Sequence, residues 1–190
     1  MAEMRTYDEL KALIIQRGVH PEFGDAGEGW GLEQAPHELA VFLVRMQELG
    51  VTSVLEIGTG YKGGLSRFLA ADMGWDVTTY DIKNYGHIFK GVHYIVGDEI
   101  WANVEYPHFL EKFDLVFIDA NHAYVEVSFD FEYYGKYAVK VIAFHDIAGL
   151  RDCEGVKKFW ESNPTPPIEG FTMHEVIATE KQSGIGWIEL

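Results

Sequence analysis

The feature of this sequence that most constrains its fold is a glycine-rich turn, VLEIGTGYKGG, at residues 54–64. The apolar residues before the turn predict a buried strand over Ser53–Ile57, and a stripe of Leu65, Phe68 and Leu69 predicts a helix after it. Glycines allow positive φ and let a ligand lie against the main chain. The helix N-terminus offers free N–H groups. Strand, glycine turn and helix in this order indicate a nucleoside-binding α/β fold.

Short apolar runs and helical segments alternate along the rest of the chain. Four further buried strands are predicted, at Val77–Tyr80, His93–Val96, Leu115–Ile118 and Val139–Phe144. The segments between the later strands are helical candidates, so the connections are right-handed crossovers in a parallel sheet. After a helix at Glu154–Ser162, the runs Phe171–Thr179 and Ile185–Glu189 predict a hairpin. We therefore predict a doubly wound, mostly parallel α/β sheet with an antiparallel C-terminal hairpin strand.

The first 50 residues are predicted to be a helical extension of a single domain that spans residues 1–190. Thr6 and Glu9 form a capping-box pattern that starts a short helix ending at Gly18, and a second helix begins near Pro36. The intervening segment Pro21–Leu32 is rich in glycine and acids and is expected to be a mobile loop. Its tryptophan, Trp30, belongs either to a lid over the cofactor or to ordinary packing.

Composition excludes several classes of protein. The formal net charge of −15 disfavours a nucleic-acid substrate, because a strongly acidic protein repels phosphate backbones. No apolar run has the length of a membrane span or of a signal peptide. The only cysteine is Cys153, so an internal disulfide is excluded and a cytoplasmic location is expected. We assign no role to Cys153.

Two carboxylates near the glycine turn indicate which cofactor the chain binds. Asp81 ends the second predicted strand, where a carboxylate can accept both ribose hydroxyls of a nucleoside; the alternative is a surface acid. Glu56 precedes Gly58 inside the strand end, where it would repel a diphosphate and attract an ammonium group. The alternative is a strand-end acid paired to Lys or Arg. These residues favour S-adenosylmethionine over a nicotinamide dinucleotide.

A second group of polar residues follows the fourth and fifth strands, in the sequences FIDANHAY and AFHDI. Because the carboxyl ends of adjacent parallel strands share one edge of the sheet, Asp119, His145 and Asp146 are expected to converge. Two carboxylates suit Mg²⁺, whereas an imidazole suits a softer divalent ion. Such a metal could lower the pKa of a substrate hydroxyl, and His122 could act as the base.

Each of these residues also has a purely structural interpretation. Asp119 could cap the following helix, His122 could be a solvated loop residue, and His145 could be a packed histidine bonded to Asp146.

The motifs VLEIGTGYKGG, TTYDI and VGD resemble the cofactor motifs of class I S-adenosylmethionine-dependent methyltransferases, over nearly the whole chain. The resemblance implies a Rossmann-like, seven-stranded sheet whose last strand is inserted antiparallel. It implies that Glu56 lies near the methionine amino group, Asp81 on the ribose and Asp98 near adenine, with Ser66 and Gln34 lining the methionine end. The full set of cofactor-binding candidates is Glu56, Gly58, Thr59, Gly60, Tyr61, Ser66, Asp81, Asp98 and Asp119.

The second half of the chain is similar to the cephalosporin-hydroxylase-like and macrolide sugar O-methyltransferases, on FIDANHAY, AFHDI and GVKKFW. That resemblance implies metal ligands at Asp119 and Asp146, with Asp119 and His122 as the catalytic residues and His122 as the base. In the relatives an acidic pair follows strand five. In this chain a histidine, His145, replaces the first acid of that pair and is a third candidate ligand. The replacement bears on whether a metal is bound and which one.

These features predict metal-assisted methyl transfer from S-adenosylmethionine to a hydroxyl of a small molecule. The alternatives are a nicotinamide-dependent oxidoreductase and a non-catalytic cofactor- or partner-binding protein. A DNA N-methyltransferase lacks support, because DANHAY stands where an Asn/Asp-Pro-Pro-aromatic signature is expected. The identity of the methyl acceptor depends on the shapes of loops such as Ile100–Glu111, which the sequence does not give. The oligomeric state is also open, and a homo-oligomer is one option.

Overall fold

Seven strands form one sheet in the computed structural model, which describes residues 4–19, 27–97, 112–149, 152–166, 168–177 and 183–190. The strands are β1 Ser53–Ile57, β2 Asp76–Asp81, β3 Val92–Val96, β4 Phe113–Ile118, β5 Ala138–His145, β6 Thr172–Val176 and β7 Ile185–Glu189. Their order across the sheet is β3-β2-β1-β4-β5-β7-β6. Neighbours among β1–β5 are parallel, whereas β7 runs antiparallel to both β5 and β6. The predicted sheet and its antiparallel hairpin are confirmed.

Helices cover both faces of this sheet. They are α1 Tyr7–Arg17, α2 Pro36–Glu48, α3 Gly64–Ala71, α4 Tyr124–Tyr134 and α5 Glu154–Glu161, with a short 3₁₀ turn at Gly135–Tyr137. Successive residues of a strand point to opposite faces, so Val54 packs with α1, α2 and α3 while Leu55 packs with α4 and α5. The result is a three-layer α/β/α arrangement with one apolar core on each side of the sheet.

The start of α1 follows from local chemistry. The Thr6 N–H donates to Glu9 Oε2 at 2.8 Å, and the Glu9 N–H donates to the Thr6 hydroxyl, which completes the predicted capping box. Pro36 occupies the first turn of α2, where its missing N–H costs nothing. Among the described residues, no helix has the length and apolar character needed to cross a membrane.

Two sequence expectations need correction or refinement. The β2–β3 connection at residues 82–91 is not helical, because glycines at Gly86 and Gly91 adopt positive φ and end any regular element. Half of the Pro21–Leu32 loop lies outside the described residues, but residues 27–32 are hydrogen-bonded to the end of α1. Trp30 is buried there, with the Arg67 guanidinium 3.8 Å from its ring centroid, so its role is packing.

The topology creates a crevice between β1 and β4. The chain order reverses at this pair, with β2 and β3 on one side and β5 on the other. Connections leaving β1 and β4 diverge to opposite faces, and ligands of doubly wound sheets bind in the opening that results. The glycine turn follows β1 and Asp119 follows β4, so both predicted groups of functional residues lie at this opening.

Candidate active site

The glycine turn is locked against the end of β4. Gly58, Gly60 and Gly63 have φ of 95°, 69° and 60°, in the region that favours glycine. A Cβ on Gly58 would lie 2.1 Å from the carbonyl oxygen of Asp119, so only glycine fits. The Gly58 N–H donates to the Tyr80 carbonyl at 2.8 Å. The turn is therefore fixed to both neighbouring strands, and its backbone is held at the floor of the crevice.

A buried carboxyl group stands directly behind this turn. Glu56 is 2% exposed, and its Oε2 accepts hydrogen bonds from the hydroxyls of Ser66 and Thr79, the latter at 2.7 Å. Burial raises the pKa of Glu56 to about 8, although both hydroxyls act in the opposite direction. The alternative of a Lys or Arg partner is not what the structure shows. Among the described residues, no Lys or Arg pairs with Glu56, so its raised pKa favours the protonated form near neutral pH.

A small cavity of about 30 Å³ lies between Glu56, the glycine turn and Gln34. The Gln34 amide nitrogen donates to Asp119 Oδ2 at 2.9 Å. Its amide oxygen is buried and accepts no hydrogen bond from the described residues. Two acceptors, one from Glu56 and one from Gln34, thus border a space the size of an ammonium group.

Asp81 lies at the edge of a larger cleft. Its carboxylate accepts the N–H of Gly60 at 3.1 Å and the N–H of Lys83 at 2.8 Å, which fixes its orientation. The cleft has a volume of about 300 Å³, within the range of small-molecule sites. It extends from Asp81 past the glycine turn to Asp119, His122 and Asp146. Of the predicted cofactor residues, Gly58, Gly60 and Asp81 therefore line the same cleft as Asp119, His122 and Asp146, whereas Glu56 and Thr59 line the smaller cavity.

The acids and histidines after β4 and β5 converge as predicted. His145 Nδ1 lies 3.3 Å from the Asp119 carboxylate and 3.4 Å from Asp146 Oδ2. One donor atom from each of these residues lies within 4.8 Å of the others, an arrangement that could hold a metal ion. His122 Nε2 is 3.4 Å from Asp146 Oδ2 and 4.0 Å from Asp119 Oδ1. Asp119 does not cap α4, whose N-cap is Ala123 without a side-chain bond.

Backbone strain and a buried serine position Asp146. Its φ of 61° is unusual for a residue other than glycine, and such strain is concentrated at functional sites. Ser183, which is buried, donates to Asp146 Oδ1 at 2.6 Å and lies 3.0 Å from His145 Nε2. Because His145 Nε2 contacts the Ser183 hydroxyl, the other ring nitrogen, Nδ1, is directed at the carboxylates of Asp119 and Asp146.

The charges of this cluster shift the pKa values of its members. Burial lowers the pKa of His145, but the charges of Asp119 and Asp146 outweigh it and raise the pKa to about 9. The nearby carboxylate of Asp119, first, and then Cys153 raise the pKa of His122 to about 10, although burial opposes them. Burial opposes ionisation of Asp119, yet the two imidazoles hold its pKa well below the usual range. At neutral pH two imidazolium groups thus supply the positive charge between these carboxylates.

The remaining predicted cofactor residues differ in their placement. Thr59 lines the small cavity, whereas Ser66 is fully buried behind Glu56 and positions that side chain. Tyr61 is 69% exposed and packs edge-on against Tyr85, with 6.0 Å between ring centroids. Asp98 lies outside the described residues.

Sequence reasoning missed two members of the cluster. Cys153 lies within 4.8 Å of donor atoms of His122 and Asp146, and Ser183 bonds His145 and Asp146. Both come from segments distant in sequence, and neither lies in a recognisable motif. The nearest signal is Gly155: a Cβ there would lie 2.3 Å from the His122 carbonyl oxygen, so this glycine allows α5 to approach the loop after β4.

No protein-family model matches the sequence, and no curated protein matches it. Solved structures do match. An O-methyltransferase from Bacillus cereus in complex with S-adenosylhomocysteine has 17% identity and a TM-score of 0.59, over 97% of this chain and 90% of that one. The O-methyltransferase TomG from Streptomyces achromogenes, involved in tomaymycin synthesis and in complex with S-adenosylmethionine, has 21% identity and a TM-score of 0.55, over 96% and 90%.

The mycinamycin-pathway methyltransferase MycE, in complex with Mg, S-adenosylhomocysteine and mycinamycin VI, has 16% identity and a TM-score of 0.62. The match covers 99% of this chain but 55% of MycE, so the chain spans about half of that protein's length. The fold is that of the class I S-adenosylmethionine-dependent methyltransferases, and the fold predicted from the sequence motifs is confirmed.

Proposed function

We propose that this chain is an S-adenosylmethionine-dependent O-methyltransferase that acts on a hydroxyl of a small molecule with the help of a divalent metal ion. One observation carries the proposal: the small cavity at the buried carboxyl of Glu56 and the cleft at the acid–imidazole cluster adjoin, with Gly58, Gly60 and Asp119 lining both. The first can hold a cationic amino-acid cofactor, and the second can hold and deprotonate an acceptor. The fold shared with the O-methyltransferases above supports the same conclusion.

The buried carboxyl of Glu56 favours a cofactor that carries a positive charge. Leaving a buried carboxyl without a cation costs free energy, and an ammonium group in the small cavity would restore its charge. The Gln34 amide oxygen, which is buried and borders the same cavity, would accept a second N–H. Asp81 is fixed where it can accept ribose hydroxyls. A diphosphate would instead place negative charge beside Glu56, which disfavours a nicotinamide cofactor.

The donor set of Asp119, His145 and Asp146 fits a divalent metal ion. The nitrogen–oxygen distances of 3.3–3.4 Å are close to the roughly 3.4 Å that separates two ligands of a tetrahedral or octahedral ion with bonds of about 2.1–2.4 Å. A divalent ion bound there would lower the pKa of a coordinated hydroxyl and replace the positive charge of the imidazolium groups.

The side chains of the chain itself then orient the acceptor and move its proton. Asp119 and Asp146 fix the acceptor end of the cleft, and Gln34 and Ser183 hold these carboxylates in place. His122, on the open side of the cluster, accepts the hydroxyl proton once its own proton has been released. S-adenosylmethionine held at Glu56, Gln34 and Asp81 would supply the methyl group to the acceptor oxygen, with its sulfur as the leaving group that keeps the electron pair. Catalysis consists of positioning the two reactants and removing one proton.

Isothermal titration with S-adenosylhomocysteine tests the cofactor part. We expect binding to the wild-type chain, and binding weakened by about tenfold to a hundredfold in Glu56→Gln, because a hydrogen bond to a charged group contributes about 1.5–3 kcal/mol. Glu132→Gln, on the exposed side of α4, is the matched control and should bind as the wild type does. Absence of binding to the wild type, or preferential binding of a dinucleotide, would overturn the proposal.

Turnover separates an enzyme from a non-catalytic binding protein. A panel of small hydroxylated acceptors, assayed for S-adenosylhomocysteine release with and without a chelator, should show activity that requires a divalent ion and is lost in Asp119→Asn. Activity indifferent to chelation would remove the metal from the proposal. Tight cofactor binding without turnover on any acceptor would favour the non-catalytic alternative.

A further inference from the structure

A second group of metal-binding side chains adjoins the acid–imidazole cluster, on the side that faces α5. Its members are His122, Asp146 and Cys153, whose donor atoms all lie within 4.8 Å of one another. They come from three separate segments: the loop after β4, the end of β5 and the residue that precedes α5. An imidazole, a carboxylate and a thiol are the donors that borderline-soft divalent ions select.

The imidazole–carboxylate distance in this group matches that of a metal site. The His122 Nε2 to Asp146 Oδ2 distance is 3.4 Å. Two ligands of a tetrahedral zinc ion, with bonds of about 2.0–2.3 Å, lie roughly 3.4–3.6 Å apart. Cys153 is 7% exposed, so its sulfur is shielded from bulk solvent, while His122 is partly open to the cleft. An ion could therefore enter through the cleft and be held on the buried side.

The backbone is built to bring these donors together. A Cβ on Gly155 would lie 2.3 Å from the His122 carbonyl oxygen and 2.4 Å from the Tyr124 nitrogen, so α5 reaches the loop after β4 only because residue 155 is glycine. Asp146 is held with a φ of 61°. Asp146 Oδ1 accepts a hydrogen bond from the Ser183 hydroxyl. The other carboxylate oxygen of Asp146, Oδ2, therefore faces His122.

We propose that His122, Asp146 and Cys153 form a binding site for Zn²⁺ or a similar borderline-soft ion, distinct from the site at Asp119, His145 and Asp146 and sharing Asp146 with it. Binding breaks the S–H bond of Cys153, forms a sulfur–metal bond and releases the proton to solvent. The ion also binds His122 Nε2, whose N–H bond breaks so that its electron pair bonds the metal and this proton too is released to solvent. If His122 is the base of the proposed methyl transfer, zinc at this site inhibits the reaction; the site itself does not depend on that function.

Cobalt absorption spectroscopy tests the site without any use of catalysis. Co²⁺ is added to the metal-free, full-length chain in the presence of excess Mg²⁺, and the near-ultraviolet sulfur-to-cobalt charge-transfer band is recorded. We expect one equivalent of Co²⁺ to produce the band and Zn²⁺ to abolish it. Because Cys153 is the only cysteine, the band can come from no other residue.

Two variants and a control complete the experiment. Cys153→Ser should lose the band, and Cys153→Ser and His122→Ala should each bind Zn²⁺ at least about tenfold more weakly, as expected when a metal site loses a ligand. His93→Ala removes an exposed histidine on β3 and should leave band and affinity unchanged. Circular dichroism checks that each variant is folded, and Cys153→Ala replaces Cys153→Ser if that variant is not. Cobalt binding without a sulfur band, or Zn²⁺ affinity within twofold of wild type in the folded Cys153 variant, overturns the proposal.

Discussion

Replacing Glu56 by Gln should make the stability of the cofactor-free protein less dependent on pH. Burial raises the pKa of Glu56 from 4.5 to about 8, so between these values the folded chain keeps a proton that the unfolded chain releases. The stability that this proton contributes is fully present below the unfolded pKa and is lost as the pH rises toward the folded pKa. Gln cannot ionise and has no such loss.

The magnitude follows from the two pKa values. From about pH 5 to about pH 8, the free energy of unfolding of the wild type should fall by about 3 kcal/mol relative to Glu56→Gln. Urea unfolding monitored by tryptophan fluorescence at several pH values measures this difference. Glu132→Gln, whose carboxyl is exposed, should follow the wild type. Parallel profiles for wild type and Glu56→Gln would refute the assignment of a raised pKa to Glu56.

The same shift predicts proton release on cofactor binding. Burial raises the pKa of Glu56 to about 8 in the free protein, and an ammonium group beside it would favour the carboxylate, so binding near pH 7 should release up to about one proton per chain from this group. Titrations in buffers of different ionisation enthalpy measure this number. Glu56→Gln should release fewer protons than the wild type, and equal release from both would contradict the mechanism.

Three further substitutions test other parts of the structure. Gly58→Ala should lower the free energy of unfolding by at least about 2 kcal/mol and abolish cofactor binding, because the added Cβ would overlap the Asp119 carbonyl. Normal cofactor binding by this variant would contradict the close approach of the glycine turn to the end of β4. Asp81→Asn should weaken S-adenosylhomocysteine binding by about tenfold or more in calorimetry, and unchanged affinity would remove the ribose role. Thr6→Ala removes the N-cap of α1, so it should lower the free energy of urea unfolding by about 1 kcal/mol and leave cofactor affinity unchanged. A loss of affinity would show that α1 affects the site.

Much of the fold was readable because its signals are local. The run Ser53–Ile57 has an apolar core at Val54, Leu55 and Ile57, is bounded by a glycine turn, and forms a strand with those same limits. The capping box at Thr6 likewise needs only residues within one helical turn. The prediction of a helix at residues 82–91 was wrong. It assumed that a helix connects every pair of successive strands, but β2 and β3 are connected without one.

The candidate site was predictable only in part, for a related reason. Asp119, His145 and Asp146 follow strands, and the edge at which parallel strands end is known once the sheet is predicted. Cys153 and Ser183 reach the same place from a loop and a hairpin, whose paths depend on tertiary packing. No spacing rule connects them to β4 or β5.

The insertion of β7 between β5 and β6 has a consequence for biosynthesis. Ser183, which steadies His145 and Asp146, enters the site with the residues that lead into β7. Until the ribosome has synthesised β7, one edge of β5 has no neighbouring strand, and Asp146 has no hydrogen bond from Ser183. We therefore expect nascent chains that end before Ser183 to self-associate through β5. Arrested chains of graded length, assayed by pelleting, would show this, and monomeric behaviour at every length would argue against it.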